Sequence, residues 1–304
     1  MERITASPEW EWWVVWYFFI GGLAAGMYFV AALIELVGTE RDREMAKAAY
    51  YLAFPMSLVC AVLLTLDLGR PERFWHMLIQ SETGRLMFKY WSPISVGAWA
   101  LLIFGGLSFL SFIGVLAEDG RLGLGRFRTL ARTLHHGLIG IGFTLLCAAV
   151  GFFIASYTGV LLTTSNQPFW SDTPLLGGLF LASAAATGTA LLLLVRLPSM
   201  SPVSLTRLQW VNSWALGLEL LLLVAFLASL GPLATPLLSS SYGRMLLWVT
   251  GLLGLVVPLG LRLVLHSGGG KWLTVATCLL VLIGGFEMRY SMLMAAQHML
   301  VAGR

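Results

Sequence analysis

Only a few ionisable or hydrogen-bonding side chains interrupt the long apolar stretches of this chain. A charge inside a bilayer costs about 2.5–3.5 kcal/mol on insertion scales, so each interruption is a candidate functional group. One set gathers at a single membrane interface. Asp67 closes an apolar run within Asp67-Leu68-Gly69-Arg70-Pro71, and Tyr157 closes another within Ser156-Tyr157-Thr158-Gly159. Trp13, Trp16 and Tyr17 open the first run at the same level. Glu287 and Arg289 come about 15 residues, or roughly 22 Å, along the last run, again in that half. A carboxylate, phenols, indoles and guanidinium groups together suit a quinol head group. Such a ligand needs partners for two oxygens, an apolar slot for its tail and an acceptor for its protons. The structural alternatives are a local Asp67–Arg70 ion pair closing a turn, and a plain interfacial role for Tyr157.

A second set falls in the opposite half: Glu35, His135, His136, Glu219 and Arg262. Glu219 sits about two turns into an apolar run that begins near residue 211. It is either paired with a cation such as Arg262 or a protonatable relay. With Glu35 and His136 it defines an expected inner proton route. A b-type haem needs two His on different helices, and none of His76, His135, His136, His266 and His298 is at mid-membrane. No CxxC, HExxH, P-loop or dinucleotide fingerprint occurs, so no haem or metal of its own is expected. Cys60, Cys147 and Cys278 lie within apolar runs and read as small buried hydrophobes.

The elements that hold these residues follow from composition. Of 304 residues, 58% are hydrophobic and 11% charged, with mean hydropathy +0.82. Soluble proteins are about 25% charged, so a soluble enzyme, a disordered chain and a disulfide-stapled domain are excluded. Eight runs reach the roughly 20 residues that a membrane helix needs: 12–37, 48–66, 92–116, 134–156, 175–197, 211–230, 245–265 and 272–300. Trp and Tyr gather at their ends as an aromatic belt, and none alternates with the period of a barrel strand. The expected fold is an all-α integral membrane protein of eight helices in one domain. A faint echo between Gly21-Gly22-Leu23 and Gly177-Gly178-Leu179 suggests two four-helix bundles. The first residues carry Glu2, Glu9 and Glu11 and no small-residue cleavage site, so the first helix is expected to be retained. Lys and Arg are more numerous in the odd loops, which puts those loops in the cytoplasm and both termini outside. The second loop breaks that trend with Arg70, Arg73, Arg85 and Lys89. A basic loop on the disfavoured side reads as occupied, so these four residues form an expected partner-docking surface. The net charge of +4 points to no nucleic acid, since the basic residues lie in short loops beside lipid.

Several stretches together resemble the polysulfide-reductase membrane-subunit family, also called NrfD-like. They are Trp16-Tyr17-Phe18-Phe19-Ile20-Gly21-Gly22-Leu23-Ala24-Ala25-Gly26; the Asp67 to Pro71 segment continuing to Arg73-Phe74-Trp75; Ser92-Pro93-Ile94-Ser95-Val96-Gly97-Ala98-Trp99; Ser156 to Gly159 followed by Gln167-Pro168-Phe169-Trp170; and Gly284-Gly285 with Arg289 and Gln297. DLGRP followed by RFW is the most specific of these. The resemblance implies a quinone-reactive subunit of a bacterial cytoplasmic-membrane respiratory complex. It would exchange electrons between menaquinone or ubiquinone and a docked iron–sulfur protein, often beside a molybdopterin subunit. It also implies a quinone pocket near that partner, using a tyrosine that corresponds to Tyr157 and polar residues of the first helix. Here the sequence departs, with Trp13, Trp16 and Tyr17 where relatives can offer Asn and His. The expected pocket is therefore Trp13, Trp16, Tyr17, Gly21, Asp67, Arg70 and Tyr157, with Tyr157 and Asp67 carrying the chemistry. The competing functions are a haem-b-type anchor and a non-redox structural anchor or transporter.

Overall fold

A computed structural model describes residues 10–39, 42–129, 137–265 and 270–302, without side chains for 263–265 and 298–302. Eight helices in it are long and apolar enough to cross a membrane. They are α1 (Trp12–Val37), α2 (Arg43–Asp67), α3 (Pro93–Glu118), α4 (Gly137–Thr163), α5 (Leu176–Arg196), α6 (Pro202–Ser229), the composite α7, and α8 (Lys271–Ala302). The α7 stretch runs without a break through Ser241–Met245, a π-helical segment Leu246–Val256, and Val257–Leu265. Pro258 follows the widened segment, as expected where a proline removes a backbone donor. Among the described residues there is no strand, only one isolated bridge between Ile79 and Leu86.

The boundaries depart from hydropathy where polar side chains start a helix. Ser92 caps α3 by accepting from Ser95 N, and Ser201 caps α6 by accepting from Ser204 N at 3.2 Å. Each cap is followed by proline at the first helical position, where the missing N–H costs nothing. Thus α6 begins at Pro202 and not near 211, and α2 begins at Arg43. The far end of α4 also moves, to Thr163, so Tyr157 lies six residues inside that helix and does not end it.

Helix α1 packs on α2, α4 and α5; α5 packs on α1, α4, α6 and α8. Further contacts run α2 to α3, α3 to α4, α6 to α7 and α7 to α8, giving bundles α1–α4 and α5–α8 with α1 and α5 between them; smaller contacts of α1 with α8 and α2 with α5 cross the seam. Small residues permit that central seam. A Cβ at Gly26 would run into the Ala184 backbone, and one at Gly188 would sit 2.6 Å from Met27 N. Close backbone approach is how membrane helices gain packing energy, since lipid removes any hydrophobic drive between them. On α6 the buried positions are Ser204, Leu208, Asn212, Leu216, Glu219, Leu223 and Phe226, a 3.6-period stripe, while Trp210 and Trp214 point outward.

The bundles are also tied at the face opposite the second loop. Asp42 accepts from Thr39 N and Oγ1 (3.1 and 2.9 Å), Ser204 Oγ (2.9 Å) and Arg207 Nη1 (3.0 Å). Burial alone would raise its carboxyl pKa, but these donors outweigh burial and hold it below the usual carboxylate range.

Candidate functional site

On α1, Trp13, Tyr17 and Gly21 recur at i, i+4 and i+8 and so share a face. Gly21 lies against α2, where a methyl would sit 3.5 Å from Cys60 Sγ. Tyr17 is buried and lies within electrostatic range of both Cys60 and Tyr157. Tyr157 is buried on α4, its ring stacked on Phe153 at 5.6 Å. Its hydroxyl donates to Pro93 O on α3 at 2.6 Å. Gly97, one turn further along α3, leaves the space: a Cβ there would overlap the phenol oxygen. With its proton committed to Pro93, the oxygen retains lone pairs for a ligand that donates. The neighbouring Thr158 hydroxyl is buried without a partner.

Asp67 ends α2 at the same face and is half-buried. Among the described residues it makes neither a hydrogen bond nor an ion pair, so the local Asp67–Arg70 pair does not form; Glu11 is the charge that acts on it. Tyr17, Gly21 and Tyr157 thus come together across α1 and α4 beside Cys60 of α2, while Asp67 lies two turns further along α2, near Glu11. Trp13, 39% exposed, caps their face toward lipid. Trp16 does not join them. It lies 4.7 Å from Phe286 on α8, because one residue along a helix turns the side chain by about 100°.

Arg70, Arg73, Arg85 and Lys89 are all exposed on the connection above this cluster. That connection is built, not loose. The 3-10 turn Pro71–Met77 leads into paired backbone at Gln80 N to Arg85 O (2.9 Å), and Trp99 Nε1 pins Met87 O at 2.8 Å. Around the basic residues Phe74, Leu86, Phe88, Tyr90 and Trp91 are exposed, from 53% to 77%. Mixed basic and aromatic exposure is the composition of a protein-docking surface.

The expected inner route is not brought together. Glu35 accepts from Tyr50 (2.9 Å) and Thr144 (3.3 Å) and pairs with Arg43 at 3.3 Å. Arg43 also holds Glu118, and Lys47 bridges Glu44 and Asp119 at 3.2 and 2.9 Å. Burial would raise the Asp119 pKa, but Lys47 and Tyr51 lower it overall. Glu35 is therefore part of an ion-pair lattice joining α1, α2 and α3. His136 lies outside the described residues, as do His135 and His266. Glu219 lies in the other bundle, seventeen residues beyond Pro202, or about 25 Å along α6. That is past the middle of the helix, because α6 starts earlier than hydropathy indicates.

The cation at Glu219 is also a different one. Arg262 donates to Gln209 O and Asn212 Oδ1 and does not pair with Glu219. The guanidinium that acts on Glu219 is Arg289, which does not touch it; Arg289 Nη1 donates to Ser183 Oγ at 3.0 Å, and both residues lie within electrostatic range of the carboxyl. Arg289 further donates to Phe18 O (3.0 Å) and Gly285 O (2.8 Å) and lies 5.5 Å over the Phe180 ring. It fits only because α1 has glycine at 22, where a Cβ would sit 2.6 Å from Nη2. Glu219 Oε1 is left buried without a partner. Glu287 faces the other way and accepts from Thr250 Oγ1 (2.6 Å) and Ser291. Neither Glu287 nor Arg289 reaches the Tyr157 cluster. The Arg289–Ser183–Glu219 triad escaped the sequence reading. The available signal was depth, since Arg289 is eighteen residues beyond Lys271 and so level with Glu219.

A profile described as polysulphide reductase, NrfD, matches residues 4–302, nearly the whole chain. The chain belongs to the NrfD polysulphide reductase family. Relatives include the C component of polysulfide reductase from Wolinella succinogenes, 28% identical over 95% of this chain and 94% of that protein. The C component of selenate reductase from Mesobacillus selenatarsenatis is 25% identical over 97% of this chain and 76% of its own length. Protein NrfD of Escherichia coli is 23% identical over 96% of both. This NrfD-family chain is a multi-pass membrane protein of the kind that serves as the membrane subunit of an oxidoreductase complex. Among the described residues no group of His, Cys, Asp and Glu is arranged to hold a metal ion.

Proposed function

We propose that this protein is the quinone-reactive membrane subunit of a reductase complex in a bacterial cytoplasmic membrane. The observation that carries the reading is the buried Tyr17–Tyr157 cluster, with the unpartnered Asp67 two turns further along α2 toward the basic, aromatic surface of residues 68–92. The donor set fits a quinol head group. Asp67 accepts a proton, the Tyr157 oxygen accepts a hydrogen bond from a quinol hydroxyl, and Tyr17 supplies a second phenol. Trp13 shields the entrance and Gly21 leaves room beside Cys60. Bound quinol, menaquinol or ubiquinol, would supply two electrons to an iron–sulfur protein docked on Arg70, Arg73, Arg85 and Lys89, its two protons passing one after the other through Asp67 to water at that face. A molybdopterin subunit would complete the complex. This orientation places residues 68–92, with both termini, outside the cytoplasm.

Glu219 is the protonatable member of any proton route through the second bundle, supported by its buried, unpartnered oxygen. The decisive experiment for the main reading is Asp67→Asn in the assembled complex. Quinol oxidation should fall at least tenfold while a quinone analogue still binds. Unchanged turnover with full assembly would remove Asp67 from the chemistry and favour a structural anchor.

A further inference from the structure

The turn after α3 carries features that neither the helix packing nor the redox reading uses. From Gly120 to His136 the chain has no Asp or Glu, but it has Arg121, Arg126, Arg128 and Arg132. Arg121, Arg126 and Arg128 are exposed, and none makes an ion pair among the described residues. Asp119, just before the turn, is taken by Lys47 and Tyr51. Arg121 lies instead 5.5 Å over the Tyr51 ring, and Arg126 lies 4.9 Å over Phe127.

The apolar side chains of the turn are as unusual as its charges. Leu122 is 82% exposed and has φ 54°, between Gly120 at 67° and Gly123 at 71°. The left-handed region pushes Cβ against the following carbonyl, so a leucine there is strained unless something favours it. Nothing among the described residues covers it. Phe127 is a further 44% exposed. The turn begins directly after α3 ends at Glu118, so it lies at head-group depth whichever way the chain is oriented. Guanidinium groups beside apolar side chains at that depth match a phosphate above and acyl chain below.

We propose that residues 121–128 bind an anionic phospholipid, with its phosphate on Arg126 and Arg128 and its acyl chain over Leu122 and Phe127. A free anion would engage the arginines alone, so a lipid is the occupant that uses both halves. The proposal is independent of the quinol site.

The test is native mass spectrometry of the full protein released from nanodiscs of equal parts phosphatidylglycerol and phosphatidylcholine. Wild type should retain phosphatidylglycerol preferentially. Each arginine near an anionic surface contributes an about fivefold preference, so Arg126→Gln with Arg128→Gln should reduce it about twenty-five-fold. Arg126→Lys with Arg128→Lys keeps the charge and should retain most of the preference. Leu122→Ser should lower retention of both lipids alike. All these positions are exposed, and unchanged melting temperatures confirm that the variants are folded. Wild-type preference in the double glutamine variant overturns the site. Complete displacement of phosphatidylglycerol by inorganic phosphate also overturns it, by showing a simple anion site.

Discussion

Replacing Tyr157 by phenylalanine and Gly97 by alanine, singly and together, separates the role of the hydroxyl from that of the ring. Tyr157→Phe removes the 2.6 Å bond to Pro93 O. That carbonyl sits in the first turn of α3 and keeps its helical acceptor role, so stability should drop by no more than about 0.5–1.5 kcal/mol. If the same oxygen receives a quinol hydroxyl, transition-state stabilisation falls by a similar amount, about two- to tenfold in kcat/KM. Gly97→Ala acts on the same contact from the other side. Its Cβ would overlap the phenol oxygen and its carbon, an overpacking that costs about 1–3 kcal/mol. Deleting the hydroxyl gives part of that space back, so the two substitutions should be non-additive, the double variant being more stable than the sum predicts. The assays are quinol oxidation by the assembled complex and its thermal midpoint. Wild-type stability and turnover in Gly97→Ala would refute the contact, and wild-type kinetics in Tyr157→Phe would reduce the residue to a belt tyrosine.

Arg289→Gln should destabilise the bundle by about 1–3 kcal/mol, because it leaves the buried acceptors Phe18 O, Ser183 Oγ and Gly285 O short of a donor; Glu219→Gln in the same protein should recover part of the loss in a melting experiment if the two charges are coupled, and no recovery would separate the two residues. Gly22→Ala should lower the midpoint by displacing the Arg289 guanidinium, at about 1–3 kcal/mol, and a neutral result would contradict the fit. Reversing Arg73 and Lys89 to glutamate should release the partner subunit on purification without changing the midpoint of this protein; intact co-purification at raised salt would argue against the surface. The strap at Asp42 has a defined pH window: its folded pKa is depressed, so its contribution is full above the unfolded value of about 3.9 and is lost as pH falls through the lower folded value. Asp42→Asn should flatten the acid limb of the stability profile, and an unchanged limb would show that the strap carries no such contribution.

Eight membrane crossings were legible in the residues because hydropathy over about 20 positions is a property of the segment itself. Chain direction also puts Tyr17, Asp67 and Tyr157 toward one end of the bundle, but it does not say which of them touch. Packing decided the rest. The first turns of α6 read as loop because Ser204, Arg207 and Gln209 are polar, yet neighbours satisfy them: Asp42 takes Ser204 and Arg207, and Thr274 takes Gln209. No feature within residues 202–210 encodes those partners. The same holds for Glu219, whose cation is Arg289 and not Arg262; depth admitted both, and only the rotation of α8 about its axis aims Arg289 at Ser183. Trp16 and Tyr17 are adjacent in sequence and of one chemical kind, but a turn of about 100° sends the first to α8 and the second to α2 and α4. Sequence determines which segments enter the membrane and how deep each residue lies. Helix rotation, set by glycines such as Gly22 and Gly97 that leave room for a neighbour's side chain, determines which groups at one depth meet.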